Sequence, residues 1–562
     1  MQPHKTLLFL TQAKGTEHHG TIPYYSSAFT MNKKHHFLLF RHCVRSVGNE
    51  VDMGHDTKSS KIGDYIGVPL PKWGVPSNEC TVVGNDMVKK TGHWLINSET
   101  IVPDGAKIKW EIIADDYHRD VDTAYYLKVG IQDALDKKYG DRVESVGLQD
   151  VHIGTHYFER SFCEPTQSDE DWLKEVQDRL ENLPRPPLSF PEALQMVEQI
   201  MGRGKRSPMD IHPIEPEYDP ESLEMIGAAP FRSTLADILL FSQLSDINPR
   251  FAPIATVEQV CQLVVFHSWY RSVEYVGSSD VAVDGGLKVE ALLRVLRKGH
   301  YLPSKSSFEE EQEDYDTRVT IILGHDDDLE PTATALGATW KLKEPFISDP
   351  NGDFLSVPPM SGIHAVRDVT TEQVDVALLY PNYFVSTSTK DFNVDRGGSL
   401  LSVPLLFTRE LPFSQVGETS TSIQPPPDHQ WTGVDILEEH TLQVLAGYHE
   451  RATECYRQAV DYWVSVDPEV ANESSTSSIH FQTTVESKHQ SFQSFLLFIM
   501  GVLAGWLVLT MWNRRYNKRQ QWRNREYVSV HKAVNEKKSL SLDCLEGEIE
   551  NLYGHTDDSE RN

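Results

Sequence analysis

The sequence predicts an α/β protein with a mixed central sheet flanked by helices, a large mainly helical insertion domain and one C-terminal transmembrane helix. Three observations carry this reading. Short apolar segments at 37–40 (FLLF), 108–113 (IKWEII) and 319–324 (VTIILG) have the length and composition of buried strands. Helical periodicity fills much of the stretch between the second and the third. Near the C-terminus, Phe495 to Trp512 runs without a charge for long enough to span a bilayer as a nearly upright helix.

The elements follow in chain order. Residues 1–35 form an N-terminal segment whose one apolar core, TLLFL at 6–10, is shorter than a normal signal h-region, so either a weak signal or a start further upstream is expected. The α/β core is expected at 36–140 and 315–463, with the helical insertion at 141–314. In the insertion, DEDWLKEVQDRLENL (169–183) sets Trp172, Val176, Leu180 and Leu183 along one helical face, and STLADILLFSQL (233–244) opens on Ser233 as an N-cap. The run FEEEQEDYD (308–316) reads as a solvated acidic loop before the third strand, and SIQPPPD (422–428) as a rigid turn.

A polar stalk at 464–492, with the glycosylation sequon Asn472-Glu473-Ser474, leads into the span at 493–512. The tail, 513–562, opens with Arg514, Arg515, Lys518, Arg519, Arg523 and Arg525. Positive charge on that side alone places the tail in the cytosol and the body in a lumen or outside the cell, as a single-pass type I protein. Within the tail, YVSV (527–530) has the tyrosine-plus-bulky-apolar pattern that adaptor complexes read, so a lysosome, vacuole or other endomembrane is the expected address.

A chain of 562 residues with 39% hydrophobic and 10% aromatic residues has ample material for a packed core. Its formal charge of −29 argues against a nucleic-acid partner and requires local positive charge wherever an anion binds. Six cysteines are too few for disulfides to be the main support. Cys544 lies in the tail; the other five (Cys43, Cys80, Cys163, Cys261, Cys455) are odd in number, and Cys43 is the candidate for a thiol left over in an oxidising compartment. The pairs His18-His19 and His35-His36 lack ligand partners at useful spacing and read as solvated. Oligomeric state is not readable from the sequence.

Each of the three strands runs into charge: Arg41-His42, then His118-Arg119, then His325-Asp326. Ligands of parallel sheets collect at the carboxyl ends of strands, so these endings are expected to meet at one site. A guanidinium fork matches phosphate oxygens, and Arg41, Arg45 and Arg119 together would neutralise a phosphoryl dianion. A neutral imidazole in their midst can accept a phosphoryl group. The HDDD run lacks the spacing of a hard-cation loop, so neither a metal nor a cofactor is expected.

These residues carry a family resemblance. RHCVRS (41–46) resembles the R-H-G-x-R-x-P signature of the histidine phosphatases, and ILGHDDDLEPTATALGATW (322–340) resembles the G-H-D-x-N-[LI] signature of their acid phosphatase and phytase branch. EIIADDYHRDVDTA (111–124) is similar to that branch's A-D-x-x-x-R-T segment. PKWGVPSNECTVVGNDMVKKTGHWL (71–95) and VPPMSGIHAVRD (357–368) look like two further segments, in the family's order, over roughly residues 36–460. The resemblance to the histidine acid phosphatase family implies a metal-free acid phosphatase acting on a small phosphorylated substrate: His42 is phosphorylated, Arg41, Arg45, Arg119 and His325 hold the phosphoryl oxygens, and Asp326 donates the proton. A phytase or sugar-phosphate phosphatase would share this chemistry.

Four departures from the family pattern bear on it. Cys43 stands in place of glycine and Ser46 in place of proline. Asp120 replaces the usual threonine, adding a carboxylate able to pair with a clamp arginine. Asp327 and Asp328 favour a raised proton affinity at Asp326 while the arginines favour a lowered one, and the sequence leaves that balance open. A catalytically weak, phospholigand-binding ectodomain is the reading these departures motivate.

Overall fold

Strand β1 (Lys34–Arg41) is apolar on both faces, and that makes it a central strand. Phe37 and Leu39 pack into one hydrophobic core; Leu38 and Phe40, pointing the other way, pack into a second. The computed structural model describes residues 33–466 except 52–59, 99–100, 104–105, 141–147, 154–167, 183–184, 187, 220–223, 246–254, 276–278, 303–314, 343–356, 386–391, 395–399, 408–429 and 449. All of them fall in the first of the chain's two units, Met1–Ser475.

Seven further strands complete the sheet: β2 (Ile108–Ala114), β3 (Leu148–Ile153), β4 (Thr317–Gly324), β5 (Gly362–Asp368), β6 (Val374–Pro381), β7 (Leu400–Pro404) and β8 (Gln430–Trp431). Their order is β7-β6-β5-β1-β4-β2-β3, with β8 also pairing to β6. One half, β1-β4-β2-β3, is parallel; the other, from β5 outward, is antiparallel. The sheet is therefore mixed and helix-flanked, as expected. The three apolar segments are neighbours. Phe40, Leu323 and Ala114 stand abreast at the carboxyl edge, so the residues that follow them emerge together.

Helices α1 (Val82–Asn97) and α2 (His118–Tyr139) pack against each other beside the core that holds Leu38 and Phe40. They cross closely because Gly92 and Gly130 face each other's backbone: a Cβ on Gly130 would lie 2.0 Å from the Lys89 carbonyl oxygen. Between β3 and β4 run α3 (Asp169–Asn182), α4 (Phe190–Met201), α5 (Ala228–Ser245), α6 (Val257–Tyr275) and α7 (Ser279–Lys298). On the face that holds Phe37 and Leu39, α7 packs against β1, α8 (Asp326–Leu336), α9 (Val434–Tyr448) and α10 (Glu450–Val466).

Val176 and Leu180 are buried and Trp172 is partly so, following the helical face expected of α3. Two expectations need correction. Ser233 is not an N-cap: α5 begins five residues earlier, because Pro230 in its first turn needs no backbone N–H partner, and the Ser233 hydroxyl instead meets His267 Nδ1 at 2.8 Å. His35 and His36 are not solvated either. His35 donates Nδ1–H to the Leu296 carbonyl at 2.9 Å, and His36, fully buried, lies 3.0 Å from His364 Nε2 across the β1/β5 pair.

Among the described residues no helix is long and apolar enough to cross a membrane. Helix α10 runs through Val466, so the first three residues of the expected stalk are helical; the rest of the stalk with its sequon, the run 495–512, the tail motif, the N-terminal segment to residue 32, His18-His19, most of the acidic run and the SIQPPPD segment lie outside the described residues.

Candidate active site

The carboxyl ends of β1, β2 and β4 bring Arg41, His42, Arg119, His325 and Asp326 together. The loop after β1 is fastened to its neighbours by its backbone: Arg41 N–H donates to the Ser361 carbonyl (2.7 Å), His42 N–H to the Gly324 carbonyl (2.9 Å), and Met360 N–H to the His42 carbonyl (3.2 Å). Cys43 is not a thiol. The loop pairs with the segment before α1 through Thr81 N–H to the Val44 carbonyl, and this places Cys43 in a disulfide with Cys80, Cα–Cα 5.7 Å. A side chain thus occupies the position where the resemblance expects glycine, covalently tied down. Cys80 Sγ in turn sits 3.3 Å from the Arg119 carbonyl, so one cross-link touches both the histidine loop and the start of α2. Cys455 is also disulfide-bonded, whereas Cys261 is a buried thiol whose pKa burial pushes up to about 12.

His42 is almost fully buried, and its Nδ1 lies 2.8 Å from the Cys43 carbonyl. A carbonyl only accepts, so Nδ1 carries the hydrogen and Nε2 is left with its lone pair. Burial first, then the charges of Arg119, Arg41, His325 and Arg45, push its pKa well below the usual imidazole value. Each of these influences favours the neutral ring. Arg41 donates to the Val357 carbonyl and pairs with Asp326 at 3.1 Å. Arg45 donates to Asn78 Oδ1 at 2.9 Å and faces Asp237 at 3.7 Å. Both guanidinium groups stand over the buried ring of Phe241. Arg119 lies over Tyr117, with its Nη2 2.8 Å from His325 Nε2. The Nε atoms of Arg41 and Arg119 are buried with no partner among the described residues.

The acidic residues divide in role. Asp328 accepts the His325 backbone N–H at 2.7 Å and faces the Lys288 ammonium of α7 at 3.2 Å. Asp120 is not paired with a clamp arginine as its first partner: its Oδ2 sits 2.8 Å from His325 Nε2 and the residue is fully buried. The balance at Asp326 falls on the side of ionisation. Burial works to raise its pKa, but Arg41, Arg271 and His267 outweigh it and hold the carboxyl well below the usual range. His325, Asp327 and Asp328 each bring one donor atom within 4.8 Å of the others, but Asp328 is already committed to the His325 N–H and Lys288, and we assign no metal to this cluster.

No protein-family model and no curated protein sequence matches the chain. Solved structures do. The phytase of Hafnia alvei in complex with tartrate matches at TM-score 0.50 and 15% identity, over 75% of this chain and 98% of that one. The fold is the phytase fold. The phytase from Citrobacter braakii matches at TM-score 0.49 and 14% identity, covering 74% of this chain and 98% of its own, and that of Klebsiella sp ASR1 at 0.48 and 13%, covering 75% and 96%.

In this version of the phytase fold, α5 and α6 also reach the carboxyl edge of the sheet and contribute residues that sequence reasoning missed. Asp237 and Phe241 come from α5. From α6, His267 Nε2 lies 3.7 Å from Asp326 and 3.8 Å from Asp237, and Arg271 donates to Glu330 at 2.7 Å while its Nε lies 4.0 Å from Asp326. Asp237 stands directly before the apolar run ILLF, His267 directly after LVVF, and Arg271 one turn beyond His267. That signal was present, but a polar residue in such a setting is more often satisfied by its own core than by a ligand.

Proposed function

We propose that this chain hydrolyses phosphomonoesters through a phosphohistidine at His42. The observation that carries the reading is the tautomer of His42: its Nδ1–H is spent on the Cys43 carbonyl, which leaves a neutral Nε2 lone pair beside the charges of three arginines. A phosphoryl dianion held by Arg41, Arg45, Arg119 and His325 would be attacked in line by Nε2, with the cations stabilising the charge spread over its oxygens. The two orphaned guanidinium Nε–H groups are donors suited to those oxygens.

Asp326 supplies the leaving-group proton in this scheme. It is ionised in the unliganded site, where Arg41 faces it. A bound dianion competing for Arg41 removes part of that stabilisation and raises the carboxyl's proton affinity when the proton is needed. Once the alcohol has left, the carboxylate activates water against the phosphohistidine. The body would work in a lumen or outside the cell, anchored by the apolar run 495–512.

The phytase names of the structural neighbours make inositol polyphosphates one substrate class to test; sugar phosphates and simple esters are the others. The decisive experiment follows aryl phosphate hydrolysis by the full chain from pH 3 to 8 in EDTA. Turnover that disappears in His42→Ala is expected. A folded parent with no turnover above that variant would leave a phospholigand-binding protein instead.

A further inference from the structure

Asp120 fills the position where the histidine acid phosphatase resemblance expects threonine, and it is the most deeply buried carboxylate at the site. Its Oδ2 contacts His325 Nε2 at 2.8 Å, while its Oδ1 is buried with no partner among the described residues. An uncompensated carboxylate oxygen in such a place is costly, so the side chain is held there by what it does for its one partner. Nε2 has two neighbours, Asp120 Oδ2 and Arg119 Nη2, both at 2.8 Å, and one hydrogen at most. Arg119 can only donate. A hydrogen on Nε2 therefore goes to Asp120, and the guanidinium is then left for the phosphoryl oxygens of the proposed site.

We infer that Asp120 is a positioning residue which holds His325 as an imidazolium, with Nε2–H committed to the buried carboxylate and Nδ1–H left as the ring's remaining donor. This rests on the proposed phosphate site. The groups around the ring are Asp120, Arg119 and the Tyr117 ring at the start of α2, Asp327 and Asp328 from α8, with Lys288 of α7 behind Asp328, and His42 from the loop after β1. Burial opposes the imidazolium, yet the hydrogen bond and charge of Asp120 prevail over it and over Arg119, so the His325 pKa is raised. The consequence extends to the next ring. A fixed positive charge on His325 is one of the charges that keep His42 neutral.

The test uses the detergent-solubilised full chain and two substitutions, Asp120→Asn and Asp120→Thr. The His325 imidazole, identified by the signal lost in His325→Gln, is titrated by NMR of histidine-labelled protein. In parallel, inorganic phosphate binding is measured calorimetrically from pH 4 to 8. Removing an opposite charge at this distance is expected to lower the His325 midpoint by about 1–3 pH units. The alkaline loss of phosphate affinity should move down by the same interval, with parent and variants alike at pH 4. If Asp120→Asn does not fold, Asp120→Thr decides. An unchanged midpoint in a folded variant overturns the dyad. A parent that binds no phosphate sinks the site reading, while the imidazole titration still judges the dyad.

Discussion

In the proposed mechanism His42 owes its readiness to the carbonyl of the next residue and to the cations around it, and Asp326 converts this readiness into turnover. In the resting site Asp326 is an ion-pair partner of Arg41 rather than a reservoir of protons. Asp326→Asn removes the acid and frees a guanidinium, so its two effects fall on different constants. We expect kcat for an alkyl phosphate to fall by about 10²–10⁴-fold, the usual worth of a positioned general acid. KM should not rise, because Arg41 is released to the substrate. An aryl phosphate with a good leaving group should lose far less, since it departs without a proton. Equal losses for both esters would remove Asp326 from the donor role. Of the residues named from the sequence, those at strand ends were legible because a charge placed directly after a buried apolar strand must emerge at the edge of the sheet, where ligands of parallel strands collect. Asp120 was visible as a departure, but its partner was not: choosing His325 over an arginine depends on how α2 and α8 meet.

At the level of elements, the pairing of β1 with β5 places two imidazoles where neither can charge cheaply. Burial lowers the pKa of His364 to about 4, and burial together with His364 holds His36 well below its usual value. Their unfolded value is near 6.5, so the stability they contribute is complete above that pH and is lost as pH falls towards the folded values. For His364 alone the loss is about 2 kcal/mol by pH 5. Urea midpoints should therefore fall between pH 7 and 5, and should fall less in His36→Leu, which cannot charge. A parallel decline in both proteins would clear the pair. This pair was misread from the sequence because KHHFLLFR shows where apolar burial starts, not that the sheet is covered back to its third residue. The helix starting at Ala228 was misjudged for a related reason: a serine before an apolar run is a strong local signal, and Pro230 in the first turn suits a start five residues earlier equally well. The Cys43–Cys80 bond was hidden because it depends on a loop pairing that no periodicity reports.

For the whole molecule, the uncharged run 495–512 and the basic cluster after it support the proposal of a body and a tail on opposite sides of a membrane. Full-length protein should partition into the detergent phase on cloud-point separation, and a chain lacking 495–512 into the aqueous phase; a full chain found in the aqueous phase would end the anchoring proposal. An acidic organelle would suit a neutral His42 and at the same time weaken the β1/β5 pair, so residence there would select for whatever else stabilises the sheet. The order of strands has a consequence in time as well as in space. Strand β4 fills the gap between β1 and β2, but roughly 200 residues separate it from the end of β2. At ribosomal rates of about 5–20 residues per second, β1 and β2 leave the exit tunnel on the order of 10–40 s before the strand that joins them. Throughout that interval β1 and β2 lack the strand that pairs with both of them, an open-edged state of the kind that chaperones shield.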